Sequence, residues 1–328
     1  MQLHHLIDGE VAGAPMFLLI VFLRPHSFGC CAVSVRSYVA IDSTQFETPC
    51  ERSSMSIEFS VIVPTCRRPV ELREAVSSAL QQTGTTIEVF IVDDSPEGSA
   101  RETVEAFQDP RLIYLRNPNP TGGVPSIVRN LAWPHAKGRF VHFLDDDDIV
   151  PYGHYLAVSQ TFSSHPEIGV AFGRIEPFGN APEAQLTHER RYFAVAARKA
   201  AMSSRFGSRW GFVGRTLFDQ ALVVCSAAVL RRECVRELGG FDPAIRLMED
   251  SDFFLRATRK FGAYFMDRVA LRYRIGSPSL LHSPNPEGSQ RQFQRDGRRR
   301  MQDKYRDEHG TLEFYALAVF SRTVLRIS

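Results

Sequence analysis

The apolar run Arg139 to Leu144 (RFVHFL) passes directly into Asp145-Asp146-Asp147-Asp148 and then into Ile149-Val150-Pro151. Four adjacent carboxylates repel one another. A run of like charges is ordinarily a solvated loop. Here apolar residues flank it on both sides and hold it against a core, and an acidic cluster held in that way calls for a cation. Mg2+ and Mn2+ prefer hard oxygen ligands and often share their sites with substrate phosphates. Asp145 and Asp147 form a D-x-D pair of such ligands.

The residues before this run alternate between two periodicities. Phe59 to Pro64 (FSVIVP) is short, continuous and β-branched, as expected of a strand buried on both faces. Pro69 to Gln82 has apolar residues at helical spacing, opened by a proline in the first turn. Ile87 to Val92 reads as a second strand, residues 98–107 as a short helix and Leu112 to Leu115 as a third strand. Asn117 to Pro125 is rich in Pro, Gly and Asn and reads as a loop. Ser126 to Ala136 is a helix and Arg139 to Leu144 a fourth strand. This order predicts an α/β fold of βαβ units, with a mostly parallel central sheet flanked by helices.

Ligands of such sheets bind at the carboxyl ends of the strands. Pro64-Thr65, Asp93-Asp94 and Asp145 to Asp148 all fall at those ends. Asp93-Asp94-Ser95-Pro96 is also good turn chemistry by itself. Further on, Glu249 and Asp250 precede Phe253, Phe254, Leu255, Ala257 and Phe261 at helical spacing, near a helix N-terminus. Acids favour that end. A carboxylate there that faces a pocket can also serve as a general base.

The balance of 39 Lys+Arg against 37 Asp+Glu excludes a generally basic nucleic-acid binder. Cys30, Cys31, Cys50, Cys66, Cys225 and Cys234 form no C-x-x-C pair and no framework of bridges, which predicts a reducing compartment. Met16 to Leu23 is apolar but falls short of the roughly 20 residues that a spanning helix needs. Residues 1–54 lack periodicity. They read as a poorly ordered extension or, because Met55 immediately precedes the first strand, as an over-called start. A catalytic domain over 55–280 and a helical tail over 281–328 complete the expected organisation. Within the tail, residues 285–310 read as an exposed helix. Thr311 to Ile327 reads as an amphipathic helix that packs on the core or lies on a membrane surface, packing being the expectation.

Six segments occur in an order that resembles the family 2 glycosyltransferases, which have the Rossmann-like GT-A fold. They are Ser60-Val-Ile-Val-Pro-Thr65, Ile91-Val-Asp-Asp-Ser95, Asn119-x-x-Gly122 leading to Arg129-Asn130, Ala136-x-Gly138 through Asp147, Gly239-Gly-Phe-Asp242, and Glu249-Asp250 with Leu255-Arg256. The resemblance runs from about Phe59 to Ser279. It implies inverting transfer of a sugar from a nucleotide diphosphate sugar, with UDP as the expected nucleotide. The acceptor would be a hydroxyl on a glycan or lipid-linked acceptor, as in cell-surface polysaccharide or glycolipid synthesis.

The resemblance also implies residue roles. Pro64 and Thr65 would line the nucleotide pocket, Asp94 would contact the base with Asp93 supporting it, and Asp146 would sit near the ribose. Arg129 would contact phosphate, or else lie on a helix surface. Asp145 and Asp147 would hold Mg2+ or Mn2+ on the diphosphate. Asp250 would be the general base and Glu249 its neighbour in the acceptor site. Residues 176–220 would form a mobile lid over the acceptor, with Trp210 stacked on a sugar face or simply part of the core. The location would be cytoplasmic, with peripheral contact at the inner face of the membrane left open. The sequence departs from the family pattern at Thr65-Cys66-Arg67, where Tyr-Asn is common. It also lacks a histidine shortly after Tyr273-Arg274, with His282 as a substitute. Two alternatives stand beside this reading. A sugar nucleotidyltransferase would need a glycine-rich loop that Pro64 to Pro69 does not supply. A non-catalytic GT-A-like binding protein would tolerate loss of Asp250.

Overall fold

A computed structural model describes residues 56–245, 248–276 and 290–327. The expectations for residues 1–54 and for His282 lie outside the described residues.

The described strands are β1 (Phe59–Thr65), β2 (Ile87–Asp93), β3 (Leu112–Arg116), β4 (Phe140–Phe143), β5 (Val170–Gly179), β6 (Ala228–Arg231) and β7 (Ala263–Ile275). They form one sheet of order β3-β2-β1-β4-β6-β5-β7. β1 pairs in parallel with β2 and β4, β2 with β3, and β5 with β7. β6 runs antiparallel to both of its neighbours. The chain leaves β1 towards β2 and β3 and then returns to β4 on the other side. A crevice opens above the strand ends wherever the order reverses in this way.

The helices are α1 (Pro69–Leu80), α2 (Arg101–Glu105), α3 (Pro125–Ala132), α4 (His154–Ser164), α5 (Glu183–Ser203), α6 (Gly214–Phe218), α7 (Arg232–Leu238), α8 (Glu249–Phe261), α9 (Gln290–His309) and α10 (Thr311–Ile327). Three are shorter than their spacing predicts, α1 by its last two residues. α2 covers only Arg101–Glu105, and the N–H of its N-cap residue Ala100 donates to Asp93 Oδ2 at 2.8 Å. α3 gives way to a 3-10 turn at Trp133–His135, since Pro134 has no N–H to continue the ladder.

Side chains alternate across the central strands. Phe59, Val61 and Val63 of β1 pack with Leu72, Val76 and Ala79 of α1 and with Tyr155 and Phe162 of α4. Ile62 faces the other side, with Val128 of α3, Val141 and Phe143 of β4, and Phe253 and Phe254 of α8. A third cluster joins Leu217, Leu255, Met301, Tyr305, Phe314 and Leu317, so α9 and α10 are packed against α6 and α8.

The segment expected as a mobile lid, residues 176–220, is mostly helical. It contains the end of β5 and the long helix α5, whose Leu186, Phe193 and Ala200 are buried. These three recur every seventh residue, a stripe that seals α5 to the protein. Pro177, Gly179 and Pro182 only delimit the helix.

Candidate active site

A cavity of about 810 Å³ lies among the carboxyl ends of β1, β2 and β4 and the N-termini of α3 and α8. Pro64, Thr65, Asp94, Arg129, Asp145, Asp146, Asp147, Glu249 and Asp250 all line it.

At one end Asp94 organises the loop after β3. Its Oδ1 accepts from Asn117 Nδ2 at 2.6 Å and Thr121 N at 2.9 Å, and its Oδ2 accepts from Thr121 Oγ1 and Gly123 N, both at 2.7 Å. Burial alone would raise this carboxyl. The bonds from the loop outweigh it and hold Asp94 below the usual range. Gly122 and Gly123 have φ of 74° and 95°, the left-handed backbone that turns the Gly123 N–H towards the acid. Asp93 points elsewhere. Its carboxylate is fully buried and accepts from Ser95 N, Ser95 Oγ, Ala100 N and Tyr114 Oη. Asp93 fixes the turn after β2 and does not itself line the cavity, so it can act on a ligand there only by supporting its neighbour.

The acid run alternates in direction. Asp146 accepts from Thr65 Oγ1 at 2.7 Å and from Arg68 Nη1 at 3.2 Å. Burial pushes its carboxyl up to about 7 in spite of both partners. Arg68 Nη1 also reaches Asp147 Oδ2 at 2.7 Å. Asp147 too is raised, by burial and by Asp145. Asp148 is wholly buried and accepts from the Arg274 N–H at 3.1 Å. Arg68 was not singled out in the sequence. Its only signal is its place between the end of β1 and the first proline of α1.

At the other end α8 begins after Met248, whose φ of 67° is strained for a residue with a side chain. Asp250 is half-buried and accepts from the Ser251 N–H at 2.6 Å. Loss of water raises its carboxyl, against the opposing pull of Arg129 and of that N–H. Burial and the Asp250 charge also raise Glu249.

Arg129 lies between the two ends. It is 3% exposed, so it is not a helix-surface residue. Its Nη1 donates to Glu249 Oε1 at 2.8 Å and its Nη2 to Asp145 Oδ1 at 2.6 Å. The guanidinium also sits 5.2 Å from the Phe241 ring centre, in cation–π range. The neighbouring Asn130 takes the Phe241 N–H at 3.0 Å and donates to the Phe241 carbonyl at 2.8 Å. The Arg129-Asn130 pair thus holds the Gly239–Asp242 segment beside the cavity.

Trp210 does not line the cavity. It stands on a π-helical turn (Ser208–Val213), partly exposed, with its ring 5.3 Å from Phe320 of α10. The expectation that it stacks on the acceptor sugar is corrected by this placement. Tyr192, Asp219, Gln220 and Arg298 line the cavity instead. Arg298 arrives from α9 and donates to the Asp219 carbonyl at 2.7 Å, a contact between distant segments with no sequence signal.

Among the described residues no three His, Cys, Asp or Glu side chains form an ion cage. Asp145 and Asp147 both line the cavity, each giving one oxygen to an arginine, Arg129 and Arg68 respectively.

The family model described as "Glycosyl transferase family 2" matches residues 60–238. A GalNAc(5)-diNAcBac-PP-undecaprenol beta-1,3-glucosyltransferase of Campylobacter jejuni is 38% identical over 93 residues, which is 28% of this chain and 30% of that protein. The chain spans less than two thirds of the length of the first curated relatives it matches. S. aureus TarS 1-349 in complex with UDP-GlcNAc superposes with a TM-score of 0.57 and 18% identity, over 80% of this chain and 69% of that one. The Pyrobaculum calidifontis mannosyltransferase PcManGT, in complex with GDP-Man and Mn2+, gives 0.56 and 20%, over 84% and 71%. At these identities the two structures establish a shared fold.

Proposed function

The chain belongs to glycosyl transferase family 2, and on that premise we propose that it is an inverting, metal-dependent glycosyltransferase that uses a nucleotide diphosphate sugar. The observation that carries the reading is one cavity lined at once by Asp94, by Asp145 to Asp147 and by Asp250. The donor's base lies against the Asp94 loop. The diphosphate lies at Asp145 and Asp147, with Arg68 and Arg129 beside it. The acceptor approaches from the side of Asp250, Glu249 and Arg298.

The chemistry then balances. The acceptor oxygen bonds to the anomeric carbon from the face opposite the diphosphate, and the carbon–oxygen bond to the phosphate breaks. The electron pair leaves on the nucleoside diphosphate and the acceptor proton goes to Asp250. A raised Asp250 carboxyl is a stronger base than an exposed one, provided it is ionised. A bound Mg2+ or Mn2+ would supply charge stabilisation for the leaving diphosphate. Asp146 and Thr65 hold the strand end in shape behind it.

The relatives narrow the substrates. The Campylobacter protein's name places its sugar on an undecaprenol diphosphate glycan, which supports a lipid-linked acceptor in cell-surface glycan synthesis here. The TarS complex with UDP-GlcNAc supports a UDP-sugar, and the complex of PcManGT with Mn2+ supports the metal. No helix among the described residues is long and apolar enough to cross a membrane. Such an acceptor would be met by peripheral contact at the inner face.

The test is a panel of UDP- and GDP-sugars screened by thermal shift, with Mn2+ or with EDTA. One donor should raise Tm in Mn2+, and its transfer product should have the opposite anomeric configuration. No shift with any donor would count against the donor site, and retained configuration would remove the single-displacement chemistry.

A further inference from the structure

Helix α10 is apolar on two faces. Phe314, Leu317, Ala318 and Leu325 are buried against the protein. Leu312, Tyr315 and Val319 point outward with 90%, 59% and 61% of their surface exposed. Arg322, also exposed, continues the same stripe three residues further on. A surface helix ordinarily turns polar residues to water, and a contiguous apolar patch marks a partner. The patch widens sideways at Phe320, which meets the rings of Phe206 and Trp210, each at 5.3 Å.

Arg205 and Arg322 flank the patch, and Arg209 beside them is ion-paired with Glu313. Arg205, Arg209 and Arg322 are exposed. The one acid of α10, Glu313, is drawn inward by Arg209, Arg259 and Tyr305. Those bonds hold its carboxyl down at about 2, with the Tyr305 hydroxyl and the two arginines outweighing burial. The face therefore presents apolar side chains, a Trp and a Tyr, and a cationic rim.

We propose that this face of α10, with the turn that carries Trp210, docks on an anionic lipid surface. Leu312, Val319 and Phe320 would enter the acyl boundary, Trp210 and Tyr315 would lie at headgroup level, and the arginines would meet lipid phosphates. A second copy of the chain is the poorer occupant. A two-fold contact through one patch would bring the same arginines together. The face is also joined to the cavity. Arg215 of α6 donates to the Leu325 carbonyl of α10 and to Asp219, and Asp219 and Gln220 line the cavity wall. The advantage for a lipid-borne acceptor rests on the function proposed above; the lipid contact itself does not.

The experiment is co-sedimentation of the full chain with phosphatidylcholine vesicles, with and without phosphatidylglycerol. The wild type should pellet with the anionic vesicles, and less so as salt rises. The double variant Leu312→Ser, Val319→Ser should bind at least roughly tenfold more weakly while keeping its Tm. Arg322→Glu should weaken binding only where phosphatidylglycerol is present. Failure to pellet with either vesicle would overturn the proposal. So would binding that the double variant leaves unchanged, because the contact would then lie elsewhere in the chain. Light scattering that finds a wild-type dimer and a monomeric double variant would assign the face to self-association instead. None of these readouts depends on sugar transfer.

Discussion

Arg129 and Glu249 form a 2.8 Å ion pair across a separation of 120 residues, and Asp145 takes the other arm of the same guanidinium at 2.6 Å. One buried cation thus ties the end of β4 to the start of α8. Arg129→Ala should destabilise the protein by about 3 kcal/mol, because it leaves the buried Glu249 and the one-third-exposed Asp145 without their counter-charge. Arg129→Lys keeps the charge but loses the fork, so it should recover only part of the loss. Urea unfolding measures both, and an alanine variant as stable as the wild type would show that the bridge is dispensable.

The glycine pair before Phe241 supports a second prediction. Gly240 has φ of 80°, and a Cβ there would lie 2.4 Å from Asn130 Oδ1 and from Trp133 Nε1. Gly240→Ala should lower stability by roughly 1–3 kcal/mol, through backbone strain and the displaced Asn130. It should also weaken transfer, because Asn130 holds Phe241 beneath Arg129. A variant with wild-type Tm and rate would refute this.

Much of this architecture was legible in the chain. Continuous β-branched runs announced β1 and β2, and Pro69 opened the helix that follows β1, whereas Pro125 read as loop and in fact begins α3. The acids at three strand ends were legible too, since parallel strands bring their carboxyl ends to one rim. What was hidden depends on three-dimensional partners. Asp93 and Asp94 are neighbours in sequence, yet strand alternation turns one into the turn after β2 and the other towards the cavity. Trp210 sits among basic and aromatic residues that read equally well as lid or core, and only its contact with Phe320 decides the matter. Arg68 and Arg298 reach the cavity from segments with no acidic or glycine-rich signature.

Buried histidines weaken this protein in acid, while the raised Asp146 and Glu249 carboxyls act in the opposite sense over the same range. The His142 Nε2 donates to the Ser226 carbonyl and Nδ1 accepts from Tyr155 Oη, so the ring is neutral. Burial depresses it to about 4, and it lowers His154 as well. The unfolded chain protonates these rings near pH 6.5. At these rings the folded form therefore binds fewer protons below that pH. The stability present above about pH 6.5 is lost as pH falls towards 4, by roughly 3 kcal/mol for His142 alone. His142→Gln should flatten that limb in chemical denaturation at stepped pH. An unchanged slope would assign the acid sensitivity to other groups.

Metal removal tests Asp145 and Asp147 separately from the base. Dialysis against EDTA should abolish transfer and Mn2+ should restore it. Asp147→Asn should raise the Mn2+ concentration needed by roughly tenfold or more, since it removes a charged oxygen ligand. Full activity in EDTA would rule out the metal-dependent form of the mechanism.

The most direct measurement is the turnover of Asp250→Asn beside its affinity for the donor nucleotide. If Asp250 receives the acceptor proton in the cavity that binds the donor, kcat should fall by roughly 10²–10⁴-fold, with nucleotide affinity and Tm close to wild type. An Asp250→Asn enzyme that transfers sugar at the wild-type rate would contradict the account.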